Sequence, residues 1–286
     1  MSVGPDHTPS PPSQSALGDP LSPDEFAGRT CLVTGAAQGI GAAIAATLGS
    51  RGGSVAVTDI NIEGAQAQVE TLRAAGVSAA AFTLDVRDTA AVDAVVGEVE
   101  ARFGALDVLI NNAGICVIGP SVDVSDEDWE RHIGVLLSGP FKLSRRAGRG
   151  MLARGRGAIV NVCSIGAYGG WPQRTAYNTA KGGVKVMTEL LASEWAPHGV
   201  RVNAVAPAVT RTEIMDRVIE EGKGRITLED FEGRTPMGRV AETREIADGV
   251  AFLASDRAAY ITGQTLAIDG GWLASDGFPT ERGSAG

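Results

Sequence analysis

Thr34-Gly35-Ala36-Ala37-Gln38-Gly39-Ile40-Gly41 is the stretch on which the fold turns. Residues 29–34 ahead of it are apolar and β-branched and read as a strand. Residues 40–51 behind it are Ala-rich and read as a helix. Glycines between the two let the backbone turn sharply and come close to a pyrophosphate. The helix start then offers unpaired N–H groups and a partial positive charge. A glycine triplet alone says little; strand before and helix after make this one a dinucleotide fingerprint. Gly35, Gln38, Gly39 and Ile40 are therefore expected to bind a cofactor.

Outward from this turn the same alternation continues. Strands are predicted at 54–58, 79–84, 108–110, 158–162, 201–205 and 265–268. Helices are predicted at 63–75, 89–103, 126–153, 177–195 and 242–253. Strands alternating with helices of this length imply an α/β fold, a single-domain Rossmann architecture with a doubly wound parallel sheet and helices on both faces. Ligands of such sheets sit at the carboxyl ends of the strands. The expected domain is 26–286. It follows a Pro/Ser-rich tail, 1–25, which cannot bury apolar surface and is expected to be disordered. Residues 210–235 interrupt the alternation with charges of both signs. They read as one or two short helices over the site, a substrate lid, or else as an ordinary surface insertion.

The 286 residues are 44% hydrophobic and 21% charged, enough to bury a sizeable core, and the net charge is −9. An acidic surface argues against nucleic acid and anionic membranes as partners. No apolar run approaches the roughly 20 residues of a membrane span. The first residues lack the basic start and apolar core of a secretory signal. Cys31, Cys116 and Cys163 match no zinc or CxxC spacing, and His7, His132 and His198 are scattered. Free thiols in a reducing cytoplasm and no metal are the expectation.

Asp59 ends the second strand, where a carboxylate can accept hydrogen bonds from the adenosine ribose hydroxyls and repel a 2′-phosphate. Neither Ala36, Ala37 and Gln38 nor the residues directly after Asp59 supply a Lys or Arg to attract one. NAD is therefore expected over NADP. Asp85, with Val86 beside it, ends the third strand and can accept from the adenine amino group; capping the next helix is the competing role.

The glycine pattern resembles that of the short-chain dehydrogenase/reductase family, and further motifs agree. Asn111-Asn112-Ala113-Gly114 ends the fourth strand, where the family places a cofactor-flanking turn, so Asn112, Ala113 and Gly114 join the cofactor set. Ser164 follows the fifth strand, and Tyr177-Asn178-Thr179-Ala180-Lys181 matches the family's YxxxK motif. Pro207-Ala208-Val209-Thr210-Arg211-Thr212 looks like the turn holding the nicotinamide, although Ala208 stands where Gly is usual; it contributes Pro207, Val209 and Thr212. The resemblance spans about residues 26–273 and implies Ser164, Tyr177 and Lys181 as catalytic residues. It also implies a homotetramer, built through the two long helices.

Residue chemistry points the same way. Tyr177 and Lys181 are four apart on a helix and share a face. A free phenol titrates near 10 and is a poor base at neutral pH. A nearby ammonium and a positive nicotinamide favour its phenolate. Tyr177 can then take an alcohol proton as hydride leaves carbon, with Ser164 holding the substrate oxygen and Lys181 also reaching the nicotinamide ribose. One residue departs from the family. Leu136, in Val135-Leu136-Leu137-Ser138-Gly139, occupies the position of an Asn that helps hold a water next to the catalytic Lys. A relay surviving through the Leu136 carbonyl, aided by Ser138, is the expectation, with slower proton exchange.

The expected pocket is mostly apolar, with Cys116, Ile118, Ser164, Gly166, Tyr168 and Trp171 in its wall. Tyr168 and Trp171 could equally pack beneath the lid or at a subunit contact, and Cys116 could be a core filler. A small secondary alcohol, diol, polyol or sugar is the leading substrate class. A larger hydrophobic alcohol comes next. A carrier-bound 3-oxoacyl group ranks last, because residues 191–195 carry no Arg for an acidic carrier and Asp59 disfavours NADP. The alternative outside catalysis is an NAD-binding scaffold or sensor.

Overall fold

The computed structural model describes residues 24–221 and 227–275. Residues 1–23 of the predicted tail, 222–226 of the predicted lid and 276–286 lie outside the described residues. Phe26, the first residue of the expected domain, is fully buried.

Seven strands form one parallel sheet, in the order β3-β2-β1-β4-β5-β6-β7. They are β1 (Thr30–Thr34), β2 (Ser54–Asp59), β3 (Ala79–Thr83), β4 (Leu106–Asn111), β5 (Gly157–Val162), β6 (Val200–Pro207) and β7 (Thr265–Ile268). The order reverses between β1 and β4, which opens a crevice beyond their carboxyl ends. Strand residues alternate between two cores. Cys31 and Val33 face a layer made by α1 (Gly39–Ser50), α2 (Ile62–Ala74) and α9 (Thr243–Ala254), and Leu32 faces the other side. That second layer is α3 (Thr89–Phe103), α5 (Gly139–Arg154) and α6 (Thr175–Trp195). Burial on both faces explains why β1, β2, β4, β5 and β6 read as continuous apolar runs, whereas the edge strand β7 has no buried residue. Each large side chain sunk there stabilises the fold by about 1.5–3 kcal/mol.

Polar groups fix where the helices stop and start. Asp88 caps α3, accepting from Ala90 and Ala91 N–H at 2.8 and 3.2 Å. Asp85 therefore does not cap that helix. Arg201 on β6 donates to the carbonyls of Leu253, Ala254 and Ser255 at 2.7, 3.2 and 2.9 Å, closing the end of α9. Its burial pulls the guanidinium down to about 10.

The predicted helix 126–153 is helical throughout, but its pitch changes partway. It divides into α4 (Asp126–Ile133), a π-helical segment Gly134–Ser138, and α5. Pro140 is the physical reason. It has no N–H to give the carbonyl of Leu136, its usual partner in an α-helix. Gly139 N–H meanwhile turns to the Gly134 carbonyl instead of Val135. Val135 and Leu136 both face the crevice.

The region read as a lid holds α7 (Glu213–Glu221) and α8 (Leu228–Arg234), two short helices beside the carboxyl ends of the strands. Thr227 caps α8 through a reciprocal pair of hydrogen bonds with Asp230.

Candidate active site

The crevice beyond the strand ends is a cavity of 590 Å³. Its floor begins at the glycine turn. Gly35 has φ +62°, and a Cβ there would sit 2.7 Å from Ala113 Cα. At Gly41 a Cβ would meet the Gly35 carbonyl oxygen at 2.1 Å. Only glycine lets the strand, the turn and α1 come this close. The α1 N-terminus has no side-chain cap and no acid in its first turn. Its N–H groups are thus left for an anion.

The Asn112-Ala113-Gly114 turn is bolted to the same strand. Asn112 Nδ2 donates to the carbonyls of Thr34 and Gly35, both at 2.9 Å. Asn112 and Ala113 N–H both donate to Thr34 Oγ1 at 3.0 Å. Asp59, at the tip of β2, accepts from Ala37 N–H at 3.1 Å and Asn61 N–H at 2.9 Å, and lines the cavity. Asp85 is held by Arg87 at 2.7 Å, and that hydrogen-bonded guanidinium keeps its carboxyl below the usual carboxylate range.

On the other side, β5 delivers Ser164 and α6 delivers Tyr177 and Lys181. Ser164 Oγ accepts from Gly166 N–H at 3.0 Å and lines the same cavity as the Tyr177 hydroxyl. Lys181 Nζ lies 5.7 Å from the Tyr177 ring centroid and donates to the Val162 carbonyl at 2.6 Å. Burial pushes the Tyr177 phenol above its ordinary value, only partly countered by the Ser164 hydroxyl, and pulls the Lys181 ammonium down. The Cys163 thiol beneath them is likewise raised by burial.

A buried polar chain sets these elements against one another. Asn111 on β4 donates to Asn161 on β5 at 2.8 Å. Asn161 donates to Thr188 on α6 at 2.9 Å, and Thr188 to the Val184 carbonyl at 2.8 Å.

The cavity wall gathers all the expected cofactor positions: Gly35, Gln38, Gly39, Ile40, Asp59, Asp85, Val86, Asn112, Ala113, Gly114, Tyr177, Lys181, Pro207, Val209 and Thr212. Cys116, Ser164 and Trp171 line it too. Three expected pocket residues do not. Tyr168 is turned outward, 42% exposed, with its hydroxyl on the Thr265 carbonyl at 3.2 Å and Lys185 over its ring. Gly166 is buried against Asn178, whose Oδ1 would meet a Cβ there at 2.5 Å. Ile118 is carried off the wall because the chain after Cys116 is tied elsewhere. Val117 N–H donates to His132 Nε2 at 3.1 Å and Gly119 N–H to the Gln173 carbonyl at 3.0 Å.

Arg131, Arg174, Met215 and Phe231 are wall residues that pattern reading missed. Arg174, three positions before Tyr177 on one helix face, was within reach of the helical spacing. Met215 and Phe231 come from α7 and α8, whose approach depends on tertiary packing. The apolar residues of α6 divide between core and surface. Val184 and Leu191 face inward, whereas Leu190 is 59% exposed.

Four further observations bear on what this cavity does. A family profile described as enoyl-(acyl carrier protein) reductase matches residues 35–273. The chain is 40% identical to the D-threitol dehydrogenase of Mycolicibacterium smegmatis over 245 residues, 86% of this chain and 93% of that enzyme. It is 38% identical to 3beta-hydroxysteroid dehydrogenase 1 of Eggerthella lenta, covering 91% of this chain and 99% of that one. A crystal structure of a gluconate 5-dehydrogenase from Burkholderia cenocepacia, in complex with NADP and tartrate, superimposes with a TM-score of 0.83 at 33% identity, covering 88% and 98% of the two chains.

Proposed function

Because the chain belongs to the short-chain dehydrogenase/reductase family and is an oxidoreductase of CH–OH groups, we propose that it is an NAD-dependent dehydrogenase interconverting a small secondary alcohol and its ketone, with Tyr177 as acid and base. The observation that carries this is the convergence of Ser164, Tyr177 and Lys181 on one cavity with an uncapped helix N-terminus at its other end.

The cavity fits a dinucleotide. The open N–H groups of α1 suit its pyrophosphate, and the Asp59 carboxylate keeps lone pairs beyond the two backbone bonds it accepts. Asp59 supports NAD over NADP, because a carboxylate there opposes a 2′-phosphate. Asp85 and Val86 are assigned to the adenine, and Pro207, Val209 and Thr212 to the nicotinamide end. When bound, NAD⁺ supplies the hydride acceptor. Ser164 holds the substrate oxygen beside the Tyr177 hydroxyl. Lys181, already buried and fixed on the Val162 carbonyl, places positive charge beside the phenol. That charge opposes the burial that holds the phenol protonated. Tyr177 then takes the alcohol proton in oxidation and returns it in reduction. The Leu136 carbonyl, stripped of its α-helical donor by Pro140, is assigned, with Ser138, to hold the water through which Lys181 exchanges protons with solvent.

The relatives' named substrates range from a polyol to a steroid. Ile115, Met215 and Phe231 in the wall also suit a larger hydrophobic alcohol, the second reading. A cytoplasmic location is supported by the unbridged Cys31, Cys116 and Cys163. A homotetramer is supported by Val186 and Leu190 on α6 and Phe141 on α5, which are exposed apolar residues on the two long helices.

The test is NADH formation by purified protein over secondary alcohols, diols, polyols and sugars, beside Tyr177→Phe. Removing the acid/base is expected to cut turnover by about 10²–10⁴-fold with NADH binding retained. Equal turnover by the Phe variant would refute the mechanism.

A further inference from the structure

Charge is unevenly distributed around the cavity wall. Its acids are Asp59, Asp85 and Glu213. Asp59 and Asp85 stand at the tips of β2 and after β3, at the expected adenosine end. Glu213 lies beside Gly39, with its Oε2 3.7 Å from where a Cβ on that glycine would be. The half of the cavity around Ser164 and Tyr177 has no acid among the described residues, and it holds Arg174.

Three guanidiniums line the cavity. Arg87 is paired with Asp85 at 2.7 Å and Arg131 with Asp128 at 2.9 Å. Arg174 makes no ion pair among the described residues. Its side chain lies over a ring instead: its Cζ is 5.3 Å from the Trp171 centroid, and Trp171 packs on Trp272 at 5.4 Å. A guanidinium stacked on an indole keeps its edge donors free.

The backbone that aims this side chain is strained. Gln173 has φ +65°, the one non-glycine in the left-handed region among the described residues. Its carbonyl is pinned by Gly119 N–H at 3.0 Å, and the Arg174 carbonyl starts α6 by accepting from Asn178 N–H at 2.8 Å. Strain held in place by such ties marks positions where geometry matters to function. Arg174 is also near enough to Tyr177 for its charge to favour the phenolate.

On the reading of this cavity as a dehydrogenase site, we propose that Arg174 is the specificity-determining cation of the substrate pocket, and that the substrate is a secondary alcohol bearing an oxyanion. Trp171 holds the guanidinium flat, and its edge takes the anion in a two-pronged pair. The carbinol is thereby set against Ser164 and Tyr177. Carboxylate and phosphate share this chemistry, so both are tested.

Initial rates with NAD⁺ are compared for two matched pairs: 4-hydroxycyclohexanecarboxylate against cyclohexane-1,4-diol, and erythritol 4-phosphate against erythritol. The anionic member of one pair is expected to show kcat/KM about 30-fold higher than its neutral partner. Whichever pair shows it names carboxylate or phosphate as the source. Arg174→Met is expected to collapse that ratio through KM, and Arg174→Lys to restore part of it, with NADH affinity as the check on folding. Equal use of both members, or a preference that survives Arg174→Met, overturns the proposal. So does a loss that falls equally on anionic and neutral substrates, which would make Arg174 an electrostatic aid to Tyr177 alone.

A second measurement does not depend on turnover. Cyclohexanecarboxylate and cyclohexanol, and separately inorganic phosphate, are titrated calorimetrically into the protein–NADH complex. Tighter binding of one anion, lost in Arg174→Met, supports the anion site even if no alcohol is oxidised, an outcome that would sink the dehydrogenase reading by itself. Failure of both anions to bind better than cyclohexanol overturns the anion site whatever the enzyme oxidises.

Discussion

Asp59→Ala is the substitution that most directly separates NAD from NADP. The Asp59 oxygens each accept one backbone N–H, from Ala37 at 3.1 Å and Asn61 at 2.9 Å, leaving lone pairs for a ribose diol. Removing the carboxylate deletes two charge-assisted bonds to that diol, a loss of about 1.5–3 kcal/mol in total, or about 10–100-fold in affinity for NADH. The effect on NADPH has the opposite sign. A unit charge facing a nearly doubly charged phosphate about 5 Å away repels it by about 2 kcal/mol even at the dielectric of water. That repulsion vanishes, and the Ala37 and Asn61 N–H groups turn from carboxylate holders into phosphate donors. Asparagine would be a poorer probe, since its NH₂ must face one of those N–H groups. The ratio of NADH to NADPH affinity is therefore expected to fall by about 10³-fold. Fluorescence titration with both reduced cofactors reads this without a substrate. Wild-type protein that prefers NADPH, or a variant that weakens both cofactors equally, would refute the reasoning.

Three other outcomes follow from the same geometry. Oxidation needs the Tyr177 phenolate and reduction needs the phenol. Since burial raises that phenol, alcohol kcat/KM should climb with pH into the alkaline range while ketone kcat/KM falls along the same limb; a flat oxidation profile from about pH 6 to 10 contradicts this. Leu136→Asn places an amide on the cavity wall beside Gly114 and should raise the turnover number and shift its pH profile, at some cost in stability, because Leu136 is fully buried; if rate and profile both stay put, proton exchange was never weakened. Gly41→Ala forces α1 away from the Gly35 carbonyl, so urea unfolding should show a loss of about 1–3 kcal/mol together with weaker NADH binding, and an unchanged midpoint and affinity would mean that the close approach is dispensable.

The parallel sheet was readable because its central strands are buried on both faces and write themselves as apolar runs, and the glycine turn because sterics leave no other residue there. Ser164, Tyr177 and Lys181 were readable because short-range spacing on one strand end and one helix face carries them into the cavity. Tyr168 misled for the opposite reason. It follows Ser164 by only four residues, yet a 3₁₀ turn over Ile165–Ala167 swings it to Thr265 and Lys185. The π-helical segment at 134–138 was hidden because apolar periodicity passes through it unchanged; only Pro140, read for the carbonyl it leaves without an α-helical donor, would have exposed it. Phe231 and Met215 reach the wall by long-range packing that no local pattern records.

The asparagine–threonine chain through the core has a consequence for tolerance. Apolar side chains slide over one another at little cost, but the links Asn111 to Asn161 and Asn161 to Thr188 hold only at a few tenths of an ångström. They tie the strand bearing the Asn112 turn, the strand delivering Ser164 and the helix delivering Tyr177 into a single registration. Three elements that could each drift alone are made to err together, so the gap between the cofactor floor and the phenol behaves as a machined dimension of the scaffold. A core repacked with leucine and valine at those three positions could be as stable and still lose the reaction, because stability and alignment are here written in different atoms.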